Sequence, residues 1–238
     1  MTTSLWWLPS YLSSTCRDNP IFRENLKNKN SPMGIRIFIF GEDGFTNSTL
    51  AHSLSILGLD VIGEIDNEIV AHKLITHHRP DAVLLQTDYG HIRAIELAKV
   101  IRKNFPNMGI VLATKSEDIR LIGIDIKRLP KGVLVEQISK HGDLDKLKIA
   151  LEKSISETLI EPNYHRCKYL SDGQIETLRL MAEGKANSEI AKMRFVSEKS
   201  VEQMLTRTAL ILGIAFDRHY NSRIRLVNSY YELVNGRK

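Results

Sequence analysis

The chain has 238 residues, 42% of them hydrophobic and 26% charged, and a formal net charge of +5, which suits a globular protein of one large or two modest domains. No run approaches about 18 consecutive apolar residues, which excludes the sequence pattern of a membrane-spanning helix. Its two cysteines, Cys16 and Cys167, lie far apart without metal-ligand spacing, so we expect neither a disulfide framework nor a metal site, and a cytoplasmic location.

The first 32 residues show little regular pattern. Their apolar and aromatic segment, TSLWWLPSYL, is followed by the polar run KNKNSP, and Met33 stands directly before the first convincing strand. Residues 1–32 are therefore predicted to be a tail or an upstream extension of the reading frame.

From Ile35 onward, strand patterns alternate with helix patterns. Runs of β-branched and aromatic residues predict strands, and apolar residues three and four positions apart predict helices. Alternation of this kind implies parallel pairing with right-handed crossovers, so residues 33–159 are predicted to form an α/β doubly wound, five-stranded parallel sheet. The strands are expected at 35–40, 59–65, 82–86, 109–114 and 132–135, and the helices at 47–57, 67–77, 91–104 and 144–159.

Polar residues stand at the carboxyl ends of these strands, which is where chemistry collects in a doubly wound sheet. Two acids follow the first strand, an amide ends the third with an acid two residues later, a hydroxyl ends the fourth and an acid follows the fifth. The candidate site residues are Glu42, Asp43, Gln86, Asp88, Thr114 and Glu136.

After a linker at 160–168 the strand pattern stops, and residues 169–238 read as a compact all-α unit of four helices. Ser171 and Gln174 have the spacing of a capping box at the start of the first helix. The second helix begins at Asn187, the third has Ser197 as its N-cap, and the last is expected at 222–234.

The excess of positive over negative charge lies entirely in the C-terminal part of the chain. Residues 1–164 hold 20 Lys and Arg against 20 Asp and Glu, whereas residues 165–238 hold 13 against 8. Either this part meets a polyanion or it merely has a solvated basic surface.

The motifs LSDGQ, AEG, NSEIA, VSEKSVE and LGI resemble the LuxR/FixJ-type helix-turn-helix across most of residues 169–235. The resemblance implies a recognition helix at 198–212, with its N-terminal turns in the DNA major groove. It implies a core of Leu170, Leu178, Leu180, Ile190, Ala191, Val196, Val201, Leu205 and Leu212. The DNA contacts it implies are Lys199, Glu202, Gln203, Thr206 and Arg207, with Lys185 and Lys192 on the backbone.

Three positions depart from that family pattern. Glu202 and Thr206 stand where the family often has Lys, and Arg194 stands where it usually has an apolar residue. Met193 or Phe195 is expected to fill the space that Arg194 leaves. These departures keep open the alternative of a helical bundle that serves only protein contacts.

The segments IRIFIFGED, RPDAVLLQ and GVLVEQ resemble a response-regulator receiver domain across about residues 34–158. Receivers hold Mg²⁺ through an acidic pair and accept a phosphoryl group on an Asp, assisted by Thr or Ser and by Lys. Here those positions fall on Gly41 with Glu42, Gln86, Ala113 and Glu136, so phosphorylation is predicted to be lost. Asp88 is then either a substitute acceptor or a loop residue that caps the next helix.

We therefore expect a transcription regulator, not an enzyme, that binds double-stranded DNA as a homodimer through its helix-turn-helix. It has an atypical receiver and needs no cofactor. A pseudo-receiver would serve dimerisation, or docking of another regulator or a small ligand. The alternatives are a protein–protein adaptor that modulates another regulator with little DNA binding, and a regulator phosphorylated on Asp88.

Overall fold

The computed structural model describes residues 34–87, 93–138, 144–157, 170–214 and 221–236. The predicted tail, the predicted linker at 160–168 and Asp88 lie outside these ranges, so the domain boundaries stay a prediction.

Five parallel strands form one sheet in the order β2-β1-β3-β4-β5. This confirms the predicted sheet, and the bounds of β3 and β4 are those expected. The fifth strand is longer than predicted, so Glu136 lies within it. The strands are β1 Arg36–Phe40, β2 Asp60–Ile65, β3 Ala82–Gln86, β4 Gly109–Thr114 and β5 Val133–Gln137.

Eight α-helices are seen in the described ranges, four with the sheet and four after it. The first begins earlier than predicted because Asp43 caps it, accepting a hydrogen bond from the Phe45 N–H at 3.2 Å. The helices are α1 Gly44–Ile56, α2 Glu68–His78, α3 Arg93–Asn104, α4 Leu144–Ser156, α5 Asp172–Ala182, α6 Asn187–Met193, α7 Glu198–Ile211 and α8 Ser222–Val234. None of the helices in these ranges is long and apolar enough to cross a membrane.

Both faces of the sheet are buried, which explains the continuous apolar runs of its strands. Phe38 and Leu85 belong to the apolar cluster on one face, beside Ile75 of α2 and Ile101 of α3. Residues of the opposite alternation, such as Ile39, belong to the cluster formed with α1 and α4.

The connection from β4 to β5 holds only a 3₁₀ turn, Ile126–Arg128, instead of an α-helix. Its first part, residues 115–124, contacts the C-terminal helices. The N–H of Glu117 donates to the carbonyl of Leu233 at 3.1 Å, and the Tyr230 hydroxyl donates to the carbonyl of Leu121 at 2.7 Å. One apolar cluster therefore runs from the sheet through this segment into the four-helix unit.

An ionic contact reinforces the same junction. The guanidinium of Arg120 pairs with the buried carboxylate of Asp118 and with Asp172 in the first turn of α5. The hydrogen bonds from Arg120 to these carboxylates, that to Asp118 first, raise the pKa of the guanidinium, which thus stays charged at any ordinary pH.

Candidate nucleic-acid interface and altered receiver pocket

Capping residues set the starts of the C-terminal helices. The N–H of Ser171 donates to Gln174 Oε1 at 2.9 Å and the N–H of Gln174 donates to Ser171 Oγ at 3.3 Å, which is the predicted capping box. Ser197 caps α7 by accepting from the N–H of Ser200 at 3.1 Å. Both predicted N-caps are confirmed.

Helix α7 is amphipathic and lies on the unit with one face. Val201, Leu205, Thr208 and Ala209 are buried, and they repeat at the three- and four-residue spacing of a helix face. The opposite face is open to solvent, so this helix is available to a ligand along its length.

The structure brings five of the predicted DNA contacts together on that open face. All five side chains are exposed: Lys199, Glu202, Gln203, Thr206 and Arg207. Lys192 on α6 is also exposed, while Lys185 is half-buried in the turn before α6. The hydroxyl of Thr206 donates to the carbonyl of Glu202 at 2.9 Å, so its oxygen remains available to DNA only as an acceptor. Contact with DNA by these residues stays a prediction.

Most of the expected helical core is buried, but Val196 is not. It is 39% exposed, because it lies in the turn between α6 and α7 and not on either helix face, and Leu212 is only half-buried. The core also takes in residues that the motif does not include, among them Met181, Tyr230 and Leu233.

The expectation that Met193 or Phe195 fills the space at Arg194 is wrong. Met193 is 53% and Phe195 is 96% exposed, whereas the Arg194 side chain is only 11% exposed. Its guanidinium donates to Glu176 Oε2 at 3.1 Å and to the Thr177 hydroxyl. A charged side chain can occupy this place because these two partners satisfy its donors.

At Gln86, where the resemblance to receivers places the phosphoacceptor, the structure has a network of two amide side chains. Gln86 Nε2 donates to Asn47 Oδ1 at 2.6 Å, and Asn47 Nδ2 donates to the carbonyls of Gly41 at 2.7 Å and Ile65 at 3.3 Å. Asn47 is buried, and a Cβ on Gly41 would lie 2.4 Å from its Oδ1 and 2.8 Å from Gln86 Nε2. The missing side chain at position 41 thus leaves room for the two amides.

Asn47 was not among the predicted site residues. It falls in the predicted first helix, and no pattern in the sequence links it to Gln86, which is 39 positions away.

Of the other predicted pocket residues, Asp88 lies outside the described residues, and the remaining four have contacts of their own. Glu42 pairs with Arg93 at 4.0 Å, and Glu136 lies in register with Ala113 on the neighbouring strand. The Thr114 hydroxyl is buried and accepts from the N–H of Ser116 at 3.1 Å.

The carboxylate of Asp43 is occupied by its capping role. It accepts from the Thr46 hydroxyl and from the N–H of Phe45, and chiefly the hydroxyl contact lowers the pKa of this exposed carboxyl.

These residues do not fit the Mg²⁺ that a receiver holds. A hard cation needs several oxygen ligands, and here Gly41 supplies no carboxylate, Asp43 caps α1 and the Gln86 nitrogen donates to Asn47. In the described part of the chain, no three His, Cys, Asp or Glu side chains come together as a metal site would require.

The family model "Bacterial regulatory proteins, luxR family" matches residues 168–214. The transcriptional regulatory protein YhcZ of Bacillus subtilis (strain 168) is 24% identical over 169 residues, covering 66% of this chain and 79% of YhcZ. The transcriptional regulatory protein RcsB of Escherichia coli (strain K12) is 28% identical over 177 residues, covering 67% of this chain and 79% of RcsB.

A structure of the two-component response regulator RcsB in complex with DNA aligns with a TM-score of 0.49 at 24% identity, covering 85% of this chain and all 100% of that one. The matched segment 168–214 spans α5, α6 and α7, and it includes the two capped helices and the exposed face described above. Residues 168–214 therefore match the luxR family of bacterial regulatory proteins, and this segment follows a five-stranded parallel sheet of receiver-like order.

Proposed function

We propose that the chain regulates transcription as a homodimer that binds DNA through α7, and that its receiver-like domain is not phosphorylated and serves dimerisation or docking. In this proposal the receiver-like domain spans residues 33–159, the linker 160–168 and the DNA-binding domain 169–238. The observation that carries the proposal is the open face of α7 inside the segment that matches the luxR family.

The chemistry of that face suits duplex DNA. Gln203 has the paired donor and acceptor that match an adenine edge, and Glu202 can accept a hydrogen bond from a cytosine amino group. Lys199 and Arg207 carry positive charge on either side of them for phosphate contacts, which fix the position on the duplex. A dimer would read two half-sites about one helical turn apart.

Lys199→Ala should weaken binding to every duplex, because one phosphate contact is lost. For the same reason, the negative slope of log affinity against log salt should become shallower by about 1. The measurement is fluorescence anisotropy with duplexes taken from the DNA upstream of the gene that encodes this chain, at four or more salt concentrations.

Lys73→Ala, at an exposed lysine of α2, is the matched control, since it removes the same charge at a distance from α7. Equal losses in both variants would mean that only net charge acts. Absence of salt-sensitive binding by the unaltered chain would refute the proposal.

Incubation with acetyl phosphate should leave the intact mass of the chain unchanged, because the acceptor position holds an amide that is hydrogen-bonded to Asn47. Intact-mass spectrometry before and after incubation tests this. A phosphoryl adduct that disappears in Asp88→Asn would instead identify Asp88 as the acceptor and overturn this part of the proposal.

The second candidate function is an adaptor that contacts another regulator and binds DNA weakly. The exposed carboxylate of Glu202 in the middle of the α7 face favours it, since a carboxylate repels phosphates.

Glu202→Lys separates the two functions. If Glu202 reads a base, the variant should lose about 1–3 kcal/mol on the specific site, while its binding to unrelated duplexes strengthens. An adaptor should instead gain affinity for all duplexes alike. Comparing the specific and scrambled duplexes by anisotropy distinguishes these outcomes.

A further inference from the structure

Phe195 combines two unfavourable properties at one position. Its φ of +54° lies in the left-handed region, which a bulky side chain rarely adopts, and its side chain is 96% exposed. Glycine or asparagine would fit this backbone conformation with less strain. A ring that is almost wholly exposed gains no burial within the chain that could offset the strain.

The position of Phe195 indicates what the ring is for. It lies in the turn of the helix-turn-helix, two residues before Ser197, the N-cap of α7. Exposed lysines flank it, Lys192 on α6 and Lys199 in the first turn of α7. The ring therefore stands at the border of the open α7 face, where these two lysines outnumber the one exposed acid of the same turn, Glu198, and the excess positive charge favours a polyanion over an apolar protein surface.

We propose that Phe195 contacts DNA directly, through apolar atoms at the edge of the major groove. Two chemical groups offer such atoms, the C5-methyl group of thymine and the carbons of deoxyribose. The inference rests on the proposed DNA binding by α7 and adds to it an apolar contact from the turn. The strain at Phe195 is then retained for binding and not for folding.

The test uses opposite signs of two measurements on the full chain. Phe195→Gly should raise the midpoint of chemical denaturation, because the backbone strain is relieved. The same variant should bind the specific duplex about fivefold or more weakly, which is the size of one lost specific contact. Phe195→Asn should behave like Phe195→Gly, whereas Phe195→Leu should keep part of the affinity.

Arg79→Gly is the matched control. Arg79, with φ of +45°, is the other non-glycine residue in the left-handed region among the described residues, and it follows α2 in the receiver-like domain. This variant should gain stability without losing affinity for DNA.

Replacing single thymines by uracil in the duplex shows which DNA atoms the ring contacts. If the replacement weakens binding, and Phe195→Gly weakens it no further, the contact is to a thymine methyl group. If the replacement leaves the affinity unchanged, the contact is to deoxyribose.

Two results would overturn the inference while leaving the proposed function intact. One is undiminished affinity of Phe195→Gly in a chain that otherwise binds DNA. The other is a change of oligomeric state in sedimentation without a change in affinity, which would assign the ring to a second copy of the chain. Absence of DNA binding by the unaltered chain would refute both proposals together.

Discussion

Tyr230→Ala should lower the free energy of unfolding by about 3–5 kcal/mol, the usual cost of deleting a large aromatic side chain from a core. Tyr230 has no exposed surface and lies among the apolar residues shared by the sheet, the segment 115–124 and the helical unit. The deletion therefore opens a cavity where the two parts of the chain meet.

The hydroxyl group adds a separate contribution. It donates to the carbonyl of Leu121 at 2.7 Å, so Tyr230→Phe leaves a buried acceptor without this donor and should cost about 1–3 kcal/mol. Denaturant unfolding, followed by circular dichroism, gives both values from the shift in midpoint and the slope.

Tyr231→Ala is the matched control, since it removes the same side chain from the next position of α8. Tyr231 is 40% exposed and meets the Tyr230 ring edge to face at 5.3 Å between centroids, so its loss should be clearly smaller, about 1 kcal/mol. Equal losses from the two variants would contradict the buried contact between α8 and the segment after β4.

The elements that the sequence predicts well are those with local signals. The sheet could be predicted because its strands are continuous apolar runs, which is the pattern of strands buried on both faces. Helix α8 has the predicted bounds because the Asn221 cap before it and the apolar repeat within it are both local features of the sequence. The starts of α5 and α7 follow in the same way from the caps Ser171 and Ser197.

The features that could not be predicted depend on residues far apart in the chain. The bond from Tyr230 to Leu121 joins positions 109 apart, and the one from Gln86 to Asn47 joins positions 39 apart. Nothing in the sequence around either member specifies such a partner. The burial of Arg194 could not be predicted for the same reason, because it depends on Glu176 and Thr177, which lie on α5 and not next to Arg194 in the sequence.

Gly41→Ala should lower the free energy of unfolding by about 1–3 kcal/mol, the range for overpacking a filled site. The added Cβ would lie 2.4 Å from Asn47 Oδ1 and 2.8 Å from Gln86 Nε2, and Asn47 is held in place by its own bonds to two carbonyls. Denaturant unfolding gives the value.

Gly44→Ala is the control, since a Cβ there has no neighbour within 4 Å and Gly44 lies in the first turn of α1. That change should be neutral or stabilise by up to about 1 kcal/mol.

A double-mutant cycle assigns the cost to the clash. In an Asn47→Ala background, Gly41→Ala should cost less than it does in the unaltered chain, because the nearest atom is gone. Additive losses would mean that the strain arises elsewhere.

The same contacts bear on the receiver chemistry. An Asp at position 41 would supply the first acid of the pair that the resemblance to receivers implies, but it needs the space that Asn47 and Gln86 occupy. Gly41→Asp alone should therefore be at least as destabilising as Gly41→Ala and should bring no Mg²⁺ binding in isothermal titration calorimetry, since a carboxylate at 41 and the amide network exclude each other.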